Sequence, residues 1–410
     1  MENKNSLASD LFLGDKVVWI VYMLLCLLSV VEVFSAASSL SFGNGDYMSP
    51  ITQHCTMLML GAVVVFIIHR IPIKYFKLIP YIFLPLSGIL LLAVMIMGIL
   101  KDNRINGAAR WLFGFQPSEI AKMAVIVAVA YILAKFQKDE GCSPMAFKPI
   151  LIISGIILGL IAPENGSTAL LLAAVVFMMM IVGRIPSLQI FKLVGACTIA
   201  GGLFLSFIMF VPPSVYKDVP GTHRFVTWRN RVIDFFNKEE VPAAKFDIDG
   251  KAQVAHANIA IATSHIIGKG PGNSIQRDHL SHGYSDFIYA IILEELGLIG
   301  GAATLFLYLV LLFRGGKIAK RCDKQFPSFL VLGVTLLLVS QALLHMMVSV
   351  GLFPVTGQPL PLVSKGGTSI LFNCVYIGMI LSVSRALDDA DSLEMKEAAP
   401  TILIAGKQEI

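Results

Sequence analysis

Lys77-Leu78-Ile79-Pro80-Tyr81-Ile82-Phe83-Leu84-Pro85-Leu86-Ser87-Gly88-Ile89-Leu90-Leu91-Leu92-Ala93-Val94-Met95-Ile96-Met97-Gly98-Ile99-Leu100 carries no charged side chain after Lys77. Coiled as a helix at about 1.5 Å per residue, such a run reaches across the roughly 30 Å hydrocarbon core of a bilayer. Nine further runs of the same character lie around it, at roughly 17–37, 54–72, 117–136, 149–163, 168–183, 188–212, 286–313, 328–351 and 368–385. The fifth and sixth of the ten are short and separated only by Pro163-Glu164-Asn165-Gly166-Ser167, so they form either a tight helical hairpin or one interrupted segment. Whole-chain composition agrees: 410 residues, 56% hydrophobic and 14% charged, with a mean hydropathy of +0.76. Soluble chains carry roughly 45–50% apolar and about 25% charged residues, and the excess apolar surface must face lipid. The expectation is an all-α integral membrane protein of about ten transmembrane helices. A disordered chain is excluded, as is a nucleic-acid binder, since the net charge is only +5. Cys26, Cys55, Cys142, Cys197, Cys322 and Cys374 are scattered without a C-x-x-C pair and read as packing residues or free thiols.

Orientation follows from the short loops. Eighteen lysines and arginines fall on one side, from Lys4 and Lys16 through Arg70, Lys135, Arg184 and Arg314 to Arg385 and Lys407. Only four, Lys101, Arg104, Arg110 and Lys365, fall on the other. The positive-inside rule then puts both termini in the cytoplasm, and ten crossings satisfy the parity. Ser35-Ala36-Ala37 resembles a signal-peptide cleavage site, but the apolar run before it is too long for a signal and sixteen mostly polar residues precede that run. Residues 1–16 thus form a cytoplasmic tail, 17–385 the membrane domain and 386–410 a second cytoplasmic tail expected to be disordered. One segment breaks the pattern of short connections. Residues 213–285, between the seventh and eighth spans, form a long extracytoplasmic loop, and loops of that length are usually functional or partly folded.

Ionisable groups inside spans are costly and default to functional hypotheses. Glu119 and Lys122, three residues apart after Pro117, share one helix face. They read either as a helix start with a dipole-complementing acid and a snorkelling lysine, or as a working pair. Arg110 beside Trp111 is a membrane anchor or a phosphate ligand. Asp286 sits where the long loop becomes a helix. It is a helix cap or, partly shielded from water, a general base. Glu294 and Glu295 lie deeper in that helix, and at least one is expected to face a polar interior and pair with a base such as Lys122 or an arginine. Asp278, His279, His282 and Asp286 have metal-like spacing, although solvated loop histidines are commoner. Gly268-Lys269-Gly270-Pro271-Gly272 lacks the closing residues of a nucleotide-binding loop and reads as a tight turn. The stretch from Val355 to Ser369 joins the last two spans, and its Ser364, Lys365, Gly366 and Gly367 offer hydroxyl, cation and backbone donors to an anion.

These motifs together resemble the SEDS family of cell-wall polymerases. Asn106-Gly107-Ala108-Ala109-Arg110-Trp111 with Gln116-Pro117-Ser118-Glu119 and Lys122 is one carrier of the resemblance. Asp286-Phe287-Ile288 with Glu294-Glu295-Leu296-Gly297 is a second, and Thr356-Gly357-Gln358 through Leu360-Pro361-Leu362-Val363-Ser364 to Gly366-Gly367-Thr368-Ser369 is a third. The Thr-Gly-Gln form resembles the FtsW branch of Bacteroidetes-type bacteria more than RodA. Membership implies a peptidoglycan glycosyltransferase that polymerises lipid II at the outer face of the cytoplasmic membrane. By the same resemblance Asp286 is the essential acid, Glu119 and Lys122 are the essential pair, and Arg110 matches the family's arginine; Ser364, Lys365, Gly366 and Gly367 join Arg110 as substrate-binding candidates on their own chemistry. There are departures. Glu164-Asn165 stands where many members have Asp-Leu, Ser281-His282 where many have Pro-Glu, Tyr284-Ser285 where many have His-Thr, and Lys365 where Tyr or Met is usual.

The implied reaction releases a lipid-linked diphosphate, so cations near it lower the barrier. A divalent metal such as Mg2+ or Mn2+ is a candidate cofactor with no assigned ligands. Besides lipid II and the nascent glycan strand, the expected partners are a class B penicillin-binding protein transpeptidase and other division or elongation proteins. The chain has no Ser-x-x-Lys with an accompanying Lys-Thr-Gly to crosslink by itself. The rival classes are a lipid II flippase, which needs polar groups reachable from both faces, and a scaffold that would tolerate loss of Asp286.

Overall fold

The structure, a computed structural model, describes residues 12–42, 49–100, 112, 114–212, 223–236, 252–280 and 283–405. Each of the ten apolar runs is a helix. They are α1 (Lys16–Phe42), α2 (Ser49–Ile68), α3 (Ile79–Leu100), α4 (Pro117–Phe136), α5 (Phe147–Ile161), α6 (Gly166–Val182) and α7 (Ser187–Phe210). Two helices of the long loop, α8 (His223–Phe236) and α9 (Ala252–Ala262), come next, then α10 (Ile288–Arg321), α11 (Gln325–Ser349) and α12 (Thr368–Ala405). Eight of these are long and apolar enough to cross a membrane. The other two predicted spans are α4, with three charged residues, and α6, with 17 residues. The fifth and sixth runs are therefore two helices with a break at Asn165, whose side chain accepts from the Thr168 amide and caps α6. A two-residue hairpin, β1 (Gln137–Lys138) and β2 (Gly141–Cys142), follows α4.

At the centre stand α4 and α11. Residues 117–130 of α4 are buried without interruption, and its Ala121, Ala124, Ala128 and Ala130 let neighbouring backbones approach closely. Gly333 of α11 makes a close approach to both α4 and α6. A Cβ there would lie 2.7 Å from Met179 of α6 and 2.8 Å from Ile126 of α4. At the periphery α7 has the opposite character, with Ile208 its one buried residue and an apolar surface suited to lipid. Phe204 of α7 packs on Phe225 and Trp228 of α8 at 5.6 and 5.7 Å.

One expectation is corrected and another is met by a different partner. The tail after Arg385 continues α12 as far as Ala405, with Arg321 bonded to Asp388 and Asp391. Glu294 does pair with a base, but that base is Lys269 rather than Lys122 or an arginine. Residues 265–276 fold against α10 and deliver Lys269 to Glu294, while the amides of Ile275 and Gln276 go to Glu294 and those of Gly272 and Ser274 to Glu295. The glycine-rich turn is thus a clasp for two carboxylates that membrane depth would otherwise leave unsatisfied.

Candidate active site

Between Val355 and Gly367 the backbone is irregular yet deeply placed, and four of its carbonyls accept from helix side chains. His345 Nδ1 donates to the Gln358 carbonyl at 2.7 Å, Gln341 Nε2 to Pro359 at 3.0 Å, the Tyr308 hydroxyl to Pro361 and the Ser29 hydroxyl to Val363 at 2.7 Å. Gln358 itself donates to Thr168 Oγ1 at 2.7 Å. Such bonding is what non-helical backbone at this depth requires. Leu362 is held at φ 65°, a left-handed conformation costly for a bulky side chain.

This segment is one wall of a cavity of about 310 Å³. The other walls are Gln116 and Glu119 of α4, Asn165 at the start of α6, and Tyr284, Ser285 and Asp286 before α10. Lys365, Gly366, Gly367 and Ser369 close it at the start of α12. Four helices, α4, α6, α10 and α12, therefore begin at one place. Each helix N-terminus carries the equivalent of about half a positive charge and unpaired N–H groups, so the cavity is suited to anions.

Asp286 is half-buried, and its described side-chain hydrogen bond comes from Ser285 Oγ at 3.0 Å. It does not cap α10. The capping position is Phe287, which has no side-chain cap, so the carboxylate is left facing the cavity. Glu119 Oε1 holds Lys122 Nζ at 2.9 Å, and the ammonium donates its second bond to Gln341 Oε1 at 3.1 Å. Lys122 is 1% exposed and sits behind Glu119 rather than on the cavity surface. Lys365 lies with Nζ 5.3 Å from the Tyr284 ring, and its backbone N–H donates to the Tyr284 carbonyl. Burial lowers its pKa below the usual lysine range.

Five of the eight site residues named from sequence thus line one cavity: Asp286, Glu119, Lys365, Gly366 and Gly367. Ser364 does not join them. Its hydroxyl donates to the Ser285 carbonyl and accepts from the Leu360 amide, which ties the wall together from behind. Arg110 and His282 lie outside the described residues. The metal-like cluster is not assembled among the described residues. Asp278 pairs with Arg277, His279 stacks on His256 at 4.8 Å, and no group of three potential ligands converges. Sequence reasoning passed over Gln341 and His345, and it quoted Gln358 and Asn165 within motifs without assigning them a role. The available signal was polar residues at i and i+4 in an otherwise apolar span, Gln341 and His345, which place two donors on one helix face.

A profile of the cell cycle protein family FtsW/RodA/SpoVE matches residues 15–389. The chain belongs to this family. The probable peptidoglycan glycosyltransferase FtsW of Hahella chejuensis is 30% identical over 376 residues, spanning 88% of this chain and 87% of the relative. The protein of the same name from Trichlorobacter lovleyi is 29% identical, spanning 91% and 93%. Among solved structures, the rod shape determining protein RodA of Thermus thermophilus superposes with a TM-score of 0.62 at 21% identity, covering 91% of this chain and 97% of that one. A chain from a peptidoglycan synthase complex, described as coordinating polymerisation and crosslinking, reaches 0.66 at 22% identity, covering 91% and 98%. At that identity the solved structures speak for the fold, a multi-pass membrane protein of the FtsW/RodA kind.

Proposed function

We propose that this FtsW/RodA-family chain is a peptidoglycan glycosyltransferase that polymerises lipid II at the outer face of the cytoplasmic membrane. The observation that carries the reading is a free carboxylate, Asp286, in a cavity where four helix N-termini and Lys365 supply positive potential. That combination suits a reaction that removes a proton from a hydroxyl while an anionic diphosphate departs. Asp286 takes the proton from the C4 hydroxyl of the acceptor GlcNAc. The oxygen attacks C1 of the donor MurNAc with inversion, and the C1–O bond breaks with its electron pair passing to undecaprenyl diphosphate. Lys365 and the amides at Gly366 and Gly367 bind the developing charge, where preorganised donors act most strongly. Glu119 lines the cavity and holds Lys122 through Oε1, so the positive charge acts from behind the surface. Crosslinking requires a separate transpeptidase, a class B penicillin-binding protein seated on the same membrane face.

The test uses purified protein with its transpeptidase partner and labelled lipid II, read as glycan ladders. Removing a general base costs about 10²–10⁴ in rate. Asp286→Asn is expected to remain folded and lose polymerisation on that scale. Wild-type ladders from the Asn protein would end the assignment.

A further inference from the structure

Asn165 caps the start of α6 and also lines the cavity, where it is 4% exposed. Geometry fixes which end of its carboxamide does which job. The Thr168 backbone amide can only donate, so the atom 3.3 Å from it is Oδ1, which also lies 3.0 Å from the Ser167 hydroxyl. With the oxygen turned to its own helix, Nδ2 projects away from α6 and carries two hydrogens. It has no hydrogen-bond partner among the described residues, and it is not sealed inside the protein.

The same cavity is lined by Gln116 and Glu119, three residues apart and so on one face at the start of α4. Gln116 donates through Nε2 to Ser118 Oγ at 3.0 Å and leaves Oε1 unused among the described residues. Glu119 spends Oε1 on Lys122, and its buried Oε2 has no hydrogen-bond partner. A buried polar atom left without a partner calls for an explanation, and a bound substrate group is one. Gln116 and Asn165 also border a smaller hollow together, with Pro117, Leu160 and Ile161, which makes them neighbours. An unused donor from α6 thus stands beside unused acceptors from α4. Glu119 and Lys122 balance each other in charge here, whereas the cation and backbone donors suited to a phosphate stand at the start of α12.

We propose that Asn165 recognises the 2-acetamido group of a reacting hexosamine, its Nδ2 donating to the acetamido carbonyl while the acetamido N–H meets the acceptors of α4. The proposal rests on the reading of the cavity as a polymerase site and names the group by which one of its sugars is held. A sugar hydroxyl donates and accepts through a single oxygen. An acetamido group carries its carbonyl and its N–H on opposite edges of one plane, which matches a donor on one helix and acceptors on another. A site built to hydrogen-bond a substrate group discriminates against the analogue that lacks it, because its own polar atoms are then left unpaired. GlcNAc and MurNAc both carry the group, and the test separates them.

Asn165→Ser keeps a capping oxygen of equal quality and removes the carboxamide nitrogen without adding charge. With purified protein, its transpeptidase partner and labelled lipid II, the loss is expected in KM rather than kcat, as for an interaction made equally in ground and transition states. One neutral hydrogen bond corresponds to a rise of roughly 3–10-fold. The comparison is repeated with two lipid II analogues, 2-deoxy at GlcNAc or 2-deoxy at MurNAc. On the analogue that lacks the recognised group, wild type and Asn165→Ser have the same KM, and on the other the gap persists. A folded Ser variant with wild-type KM for lipid II overturns the proposal, as does a gap that persists undiminished on both analogues. Should the Ser variant not fold, Asn165→Asp, which keeps the capping oxygen in place, decides by the same comparison of gaps. Asp286→Asn run alongside separates the two ideas. Wild-type ladders there sink the reading of the site itself, whereas a dead Asn variant beside a wild-type KM in Asn165→Ser sinks only the acetamido contact.

Discussion

Removing either member of the Glu119–Lys122 pair leaves a charge buried with no counterion, since the side chains are 5% and 1% exposed. Breaking such a pair typically costs about 3–5 kcal/mol, most of it desolvation that is no longer offset. Lys122→Met is therefore expected to melt well below wild type in detergent, and the double variant Glu119→Gln/Lys122→Met to recover much of the loss while remaining inactive. Single variants that melt like wild type would show the pair to be solvated. The i, i+3 spacing made this contact legible in the sequence, because both partners lie on one helix. Gln341 completes the pair from α11, more than two hundred residues away, and no local pattern joins the two. Lys365 has its own signature. Burial lowers its pKa, so as pH rises it loses its charge before an ordinary lysine would. Arginine stays protonated throughout this range. Initial polymerisation rates measured over about pH 7–10, where a lysine of depressed pKa titrates, are expected to fall earlier in wild type than in Lys365→Arg, and superimposable alkaline limbs would remove Lys365 from the charge balance.

At the scale of the element, α10 is two helices joined at Gly297, which has φ 69° and ψ −169°. The bend lets residues 265–270 lie alongside, with Lys269 and Gly270 donating to the carbonyls of Glu294 and Glu295, and Leu298 and Ile299 donating back to His265 and Ile266. A Cβ at Gly297 would sit 2.3 Å from the Ile266 carbonyl. Strained backbone alone costs of order 1–3 kcal/mol, so Gly297→Ala is expected to open the clasp. Amide hydrogen exchange of residues 265–276 measures this, and unchanged protection would mean the bend is not what seats the loop. Sequence reading recognised Gly268–Gly272 as a turn and Glu294–Glu295 as needing partners. It looked for those partners among charged residues of other spans. Physically, backbone amides and a lysine some twenty residues earlier were closer, and a helix pattern does not announce a break that lets a loop fold back on it.

Over the whole molecule, the segments that charge counting placed on one side do meet at one end. Asp15 caps α1 and bonds Arg314, Arg321 bonds Asp388 and Asp391, Arg385 donates to the Arg70 carbonyl, and the Cys142 amide donates to Arg184. The cavity lies toward the other end, with the starts of α4, α6, α10 and α12. Between them, beneath the Glu119–Lys122 pair, α4 and α11 interlock through Ile126, Val129, Leu133, Leu330, Val334 and Leu337, all fully buried. A carrier needs polar groups reachable from both faces, and between α4 and α11 these residues beneath the pair are apolar and buried. The helical character of the ten apolar runs was legible from their composition, although eight helices are long and apolar enough to cross a membrane and α4 and α6 are not. The cavity was not legible, since it is made by the starts of four helices far apart in the chain. Sidedness is testable with single cysteines in a background lacking the six native thiols. Lys138→Cys, in the β1–β2 hairpin, is expected to resist an impermeant maleimide in intact cells and to react after lysis. Asn273→Cys, in the exposed clasp against α10, is expected to react in intact cells. Labelling of position 138 with protection of position 273 would invert the protein, put the Asp286 cavity in the cytoplasm and leave an extracytoplasmic polymerase without a site.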